Sequence, residues 1–230
     1  MFLYKFLERQ FLESFFKTGS LRIGTIYDFK DTISHTAARA DSSEGKHELV
    51  RRISSPLKID KNTQEPIVSE IFRFEGEGYS TIQDMSLLSS RDSGDGFIFC
   101  TSRFYSTDIF KRWHKDCAKN DACYAILDSK GFIFEVTNAI RDSICQVINN
   151  DIVYTSDPIP YDSPEAQLNP AVTKSAEKYL WQNENRTIWV PKLPPLIVRP
   201  FIVNAPKARK YCIPLSYIEN GDIKYYSVNQ

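Results

Sequence analysis

No stretch of this sequence approaches the ~18 consecutive apolar residues of a membrane-spanning helix, so a helical membrane protein is not expected. Net charge is also missing. Lys and Arg total 29 and Asp and Glu total 29, so no global field draws the chain to nucleic acid or a membrane surface, and a polyanion must be met by a local patch. Cys100, Cys117, Cys123, Cys145 and Cys212 are odd in number and lack the short paired spacings of a zinc site. Reduced thiols in a cytoplasmic protein, with no metal, are the expectation. A phosphate loop is absent too: Gly19 to Gly24 has the wrong spacing and no neighbouring Lys-Ser or Lys-Thr. The opening, Met1 to Phe16, carries Lys5, Glu8, Arg9 and Glu13 and no small-residue cleavage site follows, unlike a signal peptide. What remains is ordinary globular material, 230 residues with 42% hydrophobic and 25% charged side chains. That balance excludes collagen-like, coiled-coil and wholly disordered chains and is enough for a core.

Along the chain, Phe2 to Phe6 reads as a strand. Phe11, Leu12, Phe15 and Phe16 then give Glu8 to Lys17 an amphipathic helical period, and Gly19 is suited to end that helix. Leu21 to Tyr27 reads as a second strand. Asp28 to Gly45 is polar and is expected to be a long surface loop, part of an insertion at about 28–48 that could fold over a ligand. Leu49 to Ile53, Leu57 to Ile59 and Ile67 to Phe74 read as strands of a meander. Phe97 to Ser102 is a strand ending in hydroxyls, Thr107 to Lys119 a helix and Ala122 to Leu127 a strand; Phe132 to Asp142 has a helix near Thr137. Pro158, Pro160, Pro164 and Pro170 make Asp157 to Pro170 a loop. A helix over Ala171 to Trp181, a strand over Arg186 to Val190, and strand-like runs at Leu196 to Val203, Tyr211 to Ile218 and Lys224 to Ser227 complete the pattern. The class is α+β, with mixed strands around a cleft in one domain over residues 1–230.

Candidate chemistry is sparse. His35 and His47 fall in the polar loop and read as solvated; His114 shares a helical face with Cys117 and reads as a residue at the core edge. Gln182 and Glu184 are more informative, because positions i and i+2 of an extended backbone point to the same side. An amide and a carboxylate can therefore face one cleft. Arg186 falls on that side as well, so Glu184 can equally be half of a surface ion pair worth at most ~1 kcal/mol. Arg103, Lys111, Arg112 and Lys115 surround Trp113, and Lys207, Arg209 and Lys210 accompany Tyr211. Such mixtures bind single-stranded nucleic acid or simply form solvated faces.

The order of these features resembles the ADP-ribosyltransferase fold. Phe2 to Gly19 is similar to that family's opening strand, helix and Gly, with Lys5 where Arg or His is usual. Phe99 to Ser102 resembles its Ser-Thr-Ser strand, with Cys100 in place of the first Ser, and Gln182, Asn183 and Glu184 resemble its late Gln-x-Glu. Leu3, Tyr4, Lys5, Glu184 and Arg186 also resemble a family of uncharacterised bacterial proteins often found near defence genes.

The resemblance implies a mainly antiparallel split sheet around an NAD cleft, and mono-ADP-ribosyl transfer from NAD to a macromolecular acceptor, protein or nucleic acid. A toxin or anti-phage effector, with a cognate antitoxin as a possible partner, is the implied setting. Glu184 would stabilise positive charge at the ribose and Gln182 would orient the acceptor. Thr101 and Ser102 would hold the ribose or support Glu184, Lys5 or the rival Arg22 would meet the diphosphate, and Tyr27 and Tyr105 would stack on nicotinamide. Two other expectations stand beside it: an RNA-cleaving toxin using His114, and a non-catalytic binding module.

Overall fold

The computed structural model describes residues 1–31, 33, 40–73, 75–192 and 198–227; His35 lies outside them. The chain opens with β1 (Leu3–Leu7), α1 (Arg9–Thr18) and β2 (Ser20–Thr25). Leu12 and Phe15 bury the apolar stripe of α1, and Gly19 ends the helix at φ 84°, its N–H bonded to Phe15 O. Any side chain at Gly19 would meet the Pro206 backbone at 2.4 Å, so only glycine fits the turn.

Next come β3 (Lys46–Ile53), β4 (Leu57–Ile59), α2 (Pro66–Ile71), β5 (Ser80–Ile82) and β6 (Met85–Asp92). They pack around a cluster of their own that includes Leu49, Ile53, Ile59, Ile67 and Leu87. The chain then runs through β7 (Phe97–Ser102), α3 (Thr107–Asp116), β8 (Ala122–Ile126), α4 (Ser129–Ile140) and β9 (Ile144–Asp151). Short strands β10 (Val153–Thr155), β11 (Ile159–Pro160) and β12 (Thr173–Ser175) lead to α5 (Ala176–Tyr179), a 3-10 turn over Leu180–Gln182 and β13 (Glu184–Pro191). β14 (Phe201–Asn204), β15 (Cys212–Glu219) and β16 (Asp222–Tyr225) close the described chain. The result is a mixed α+β protein with mostly antiparallel sheets.

β7 organises the main sheet. One edge pairs antiparallel with β13 from Glu184↔Ser102 to Trp189↔Phe97. The other edge is shared: β2 pairs at Ile98 and Phe97, and β1 only at Ser102. Along Phe99 to Thr101 neither covers that edge, so the sheet splits there. Alternation sends Phe97, Phe99 and Trp189 into the core that includes α1 and α4 residues, and Ile98 and Ile188 into a second core with Ala171 and Val172. Trp189 is fully buried and its Nε1 donates to Thr137 Oγ1 at 2.8 Å. Burying such a side chain contributes roughly 3 kcal/mol.

Several sequence expectations need correction. Ile67 to Phe74 holds a helix, because Pro66 starts a first turn at no cost in hydrogen bonding and Ile67 and Val68 share the buried side. Ala171 to Trp181 is broken: Val153 to Thr155 pairs in parallel with Thr173 to Ser175, drawing those residues out of a helix. β6 and β9 have no counterpart in the expected pattern, since each buries only one residue, Leu87 or Ile144, and so carries little apolar alternation. His47 is a buried residue of β3 rather than a solvated loop residue.

Candidate functional site

Direct cross-strand partners point to the same side of a sheet. Glu184 opposes Ser102 and Arg186 opposes Cys100, so these four side chains share the face that the irregular segment before β13 covers. Where the sheet splits, a cavity of about 150 Å³ opens, lined among others by Lys5, Phe99, Ser102, Lys174, Glu184 and Arg186. Lys5 fills the gap left by the missing strand pairing. Its Nζ donates to the Cys100 carbonyl at 2.7 Å and lies 4.5 Å from the centre of the Phe99 ring.

Glu184 sits in a buried ionic network. Arg186 Nε donates to Glu184 Oε1 at 2.6 Å, and Lys174 Nζ donates to Oε2 at 2.9 Å. The far side of the Arg186 fork is taken by Glu44, both of whose carboxylate oxygens accept from it, and by the Ala171 carbonyl at 2.6 Å. Lys174 also donates to Gln182 Oε1 at 3.0 Å. The backbone N–H of Glu184 donates to Tyr154 Oη at 2.8 Å, and β10–β12 pairing sets Tyr154 opposite Lys174.

Burial is the largest single influence on the Glu184 carboxyl and would raise it. Arg186 and Lys174 together, aided by hydrogen bonds from Arg186 and the Cys100 thiol, outweigh burial and hold the carboxyl well below the usual carboxylate range. Burial likewise works against the Arg186 cation, yet Glu184 and Glu44 hold its value well above the ordinary one. Burial pushes the Cys100 thiol up to about 12, with Glu184 adding to the shift.

Of the residues singled out from sequence, Lys5, Arg22, Thr101, Ser102, Gln182 and Glu184 all line this cavity. Their partners differ from those expected. The Glu184–Arg186 pair is buried, not at the surface. Gln182 lies in a 3-10 turn and Asn183 takes φ 43°, so Gln182 and Glu184 converge on Lys174 through a left-handed residue, not an extended one. The Ser102 hydroxyl donates to Gln182 O at 2.7 Å, with Phe104 O as the alternative acceptor at 2.9 Å, and Thr101 donates to Asn185 O at 3.1 Å, so both tie β7 to the β13 segment. Arg22 is exposed and pairs with Asp28 at 2.7 Å.

Tyr27 and Tyr105 are not among the cavity's lining residues. Lys30 lies over the Tyr27 ring, while Tyr105 packs with Phe6 and Phe110 and donates to Ser216. His114 is also outside the lining. Trp113 does line it and packs on Trp181 at 4.9 Å, with Arg112 over the Trp181 ring.

Sequence reasoning missed Glu44, Lys174 and Tyr154. Pro170 with the β-branched Val172 and Thr173 argued against a helix through Lys174 and could have freed it for consideration. Glu44 carried no local signal, because its polar neighbours looked like solvated loop. Among the described residues no cluster of His, Cys, Asp and Glu could hold a metal ion, and no helix is long and apolar enough to cross a membrane. No protein-family model, curated protein or solved structure matches the chain.

Proposed function

We propose that the protein is an NAD-dependent mono-ADP-ribosyltransferase acting on a macromolecular acceptor. One observation carries the reading: Glu184, ionised and buried, stands in register with Ser102 on adjacent strands beside a cavity at the split of the sheet. In this reaction the bond from ribose C1 to the nicotinamide nitrogen breaks, and nicotinamide leaves with the electron pair. C1 becomes electron-poor until the acceptor's nucleophile bonds to it, as in glycoside hydrolysis.

A fixed carboxylate beside the ribose lowers the energy of that positive charge. So depressed a carboxyl is a weak base, which makes the role of Glu184 electrostatic and sends the acceptor's proton to solvent. Arg186, Lys174 and the Cys100 thiol already take up the roughly four hydrogen bonds that a carboxylate accepts, so a ribose hydroxyl reaches Glu184 by displacing the Cys100 thiol, the one uncharged donor. About 150 Å³ admits roughly one ring, so the nicotinamide end enters and the diphosphate lies at the rim, where Arg22 is exposed. Trp113, Trp181 and Arg112 offer an acceptor both stacking and charge.

The test is incubation of the chain with labelled NAD and cell extract, followed by separate protease and nuclease digestion. Nicotinamide release with label in one macromolecular fraction, both abolished in Glu184→Gln, is the expected result. Neither release nor label from the wild-type chain would sink the reading. A second reading, a non-catalytic binding module, is favoured by the engagement of both Glu184 oxygens with cations. It requires a ligand that binds without turnover, and activity that survives Glu184→Gln.

A further inference from the structure

We infer that Glu44 is a positioning residue for the reaction read at Glu184, acting through Arg186 as the counter-charge that offsets one of the cations around that carboxylate. The inference rests on that reading of Glu184. Glu184 with Arg186 and Lys174 is one carboxylate between two cations, a cluster with one net positive charge. Such a cluster opposes a positive charge forming on the sugar. Glu44 brings the four groups to neutrality, and its side chain is 1% exposed, so water screens little of its effect. Its two-oxygen grip on the Arg186 fork also fixes the direction from which Nε meets Glu184.

The local sequence is built for this placement. Asp41 Oδ1 accepts from Ser43 N and Oγ, Glu44 N donates to Asp41 O, and Gly45 turns the chain at φ 71° into β3. Asp41 N is held by Phe29 O, and Tyr179, just before Gln182, donates to Ala40 O. The end of the polar loop thus backs the site through Arg186 and does not itself line the cavity.

Loss of the counter-charge opposes the positive charge that develops on the sugar and favours the anionic dinucleotide, so its cost falls on kcat and not on binding. Nicotinamide release is measured for the wild type, Glu184→Gln, Glu44→Gln, Lys174→Met and the Glu44→Gln/Lys174→Met double variant, each corrected for folded fraction by thermal melting. Glu44→Gln is expected to lower kcat about tenfold or more with KM for NAD not raised. The double variant, in which the charges balance again, is expected to regain kcat over Glu44→Gln.

A purely structural Glu44 predicts the reverse, a double variant worse than either single, and that result overturns the inference alone, as does an unchanged kcat in Glu44→Gln. Should Glu44→Gln not fold, the double variant carries the test: kcat within about tenfold of Lys174→Met supports the counter-charge, and a larger fall overturns it. No turnover by the wild type, or full turnover by Glu184→Gln, removes the reading of Glu184 and this inference with it.

Discussion

Glu44 and Arg186 are 142 residues apart in sequence and meet as a two-oxygen ion pair in which each side chain is 1% exposed. The pair closes the loop end onto β13 and orients Arg186 toward Glu184. Its burial makes it costly to break, since removing one partner leaves the other charged and desolvated.

Arg186→Met should therefore destabilise the fold by roughly 3–5 kcal/mol, because two carboxylates lose their shared cation. Arg186→Lys should recover only part, as an ammonium cannot reproduce the fork. Urea unfolding of the three proteins at pH 7 measures both; a change under about 1 kcal/mol for Arg186→Met would mean the network is open to water.

Gly45→Ala should cost at least roughly 1–2 kcal/mol, the usual penalty for a side chain in left-handed backbone. An added Cβ would also lie 2.6 Å from Ser93 Oγ and 2.7 Å from Ile26 Cγ2. Thermal melting is the check, and a variant as stable as the wild type would mean that Gly45 does not hold the left-handed conformation that places Glu44.

The Glu184 carboxyl sits below its ordinary value of 4.5 in the folded state. Its contribution is complete above that value and is lost as pH falls toward the folded one, because the unfolded chain takes up the proton first. The stability gap between wild type and Glu184→Gln should accordingly be wide at pH 7 and narrower at pH 3. A gap that widens on acidification contradicts the assignment.

His47 has the same sign of dependence at higher pH. Burial first, and then Arg91, lower it from 6.5, so the unfolded state binds the proton more readily and stability declines below about pH 6.5. His47→Gln should flatten that decline in a series of denaturant titrations. An unchanged slope would assign it to another group.

Iodoacetamide at pH 8 should alkylate exposed Cys145 and spare Cys100, whose thiol burial holds protonated up to about 12. Peptide mass spectrometry reports each site. Comparable rates at the two thiols would mean that the cavity floor is wet.

Much of the framework was legible because period and punctuation are local. Leu12 and Phe15 mark the buried stripe of α1, Gly19 marks its end, and Phe97 to Ser102 spells out β7, each readable from a few neighbouring residues. Glu184 stood out for a similar reason, lying two residues from Gln182 and two from Arg186. Where a tertiary partner competes with local preference the reading failed, as at Thr173 to Ser175, which pairs with β10 instead of coiling. Tyr105 is a different case: its ring has the right chemistry, but it packs half-buried on Phe110 of α3 and does not line the cavity.

The amino-acid order alone determined an α+β chain with few cysteines, no net charge and a carboxylate flanked by polar neighbours at the head of a late strand. Which charges surround that carboxylate was decided by folding. Ion pairing in a low-dielectric interior depends on a few ångströms of separation, and only the split sheet, the parallel β10–β12 pair and the turn at Gly45 bring Lys5, Lys174 and Glu44 to the same place as Glu184 and Arg186.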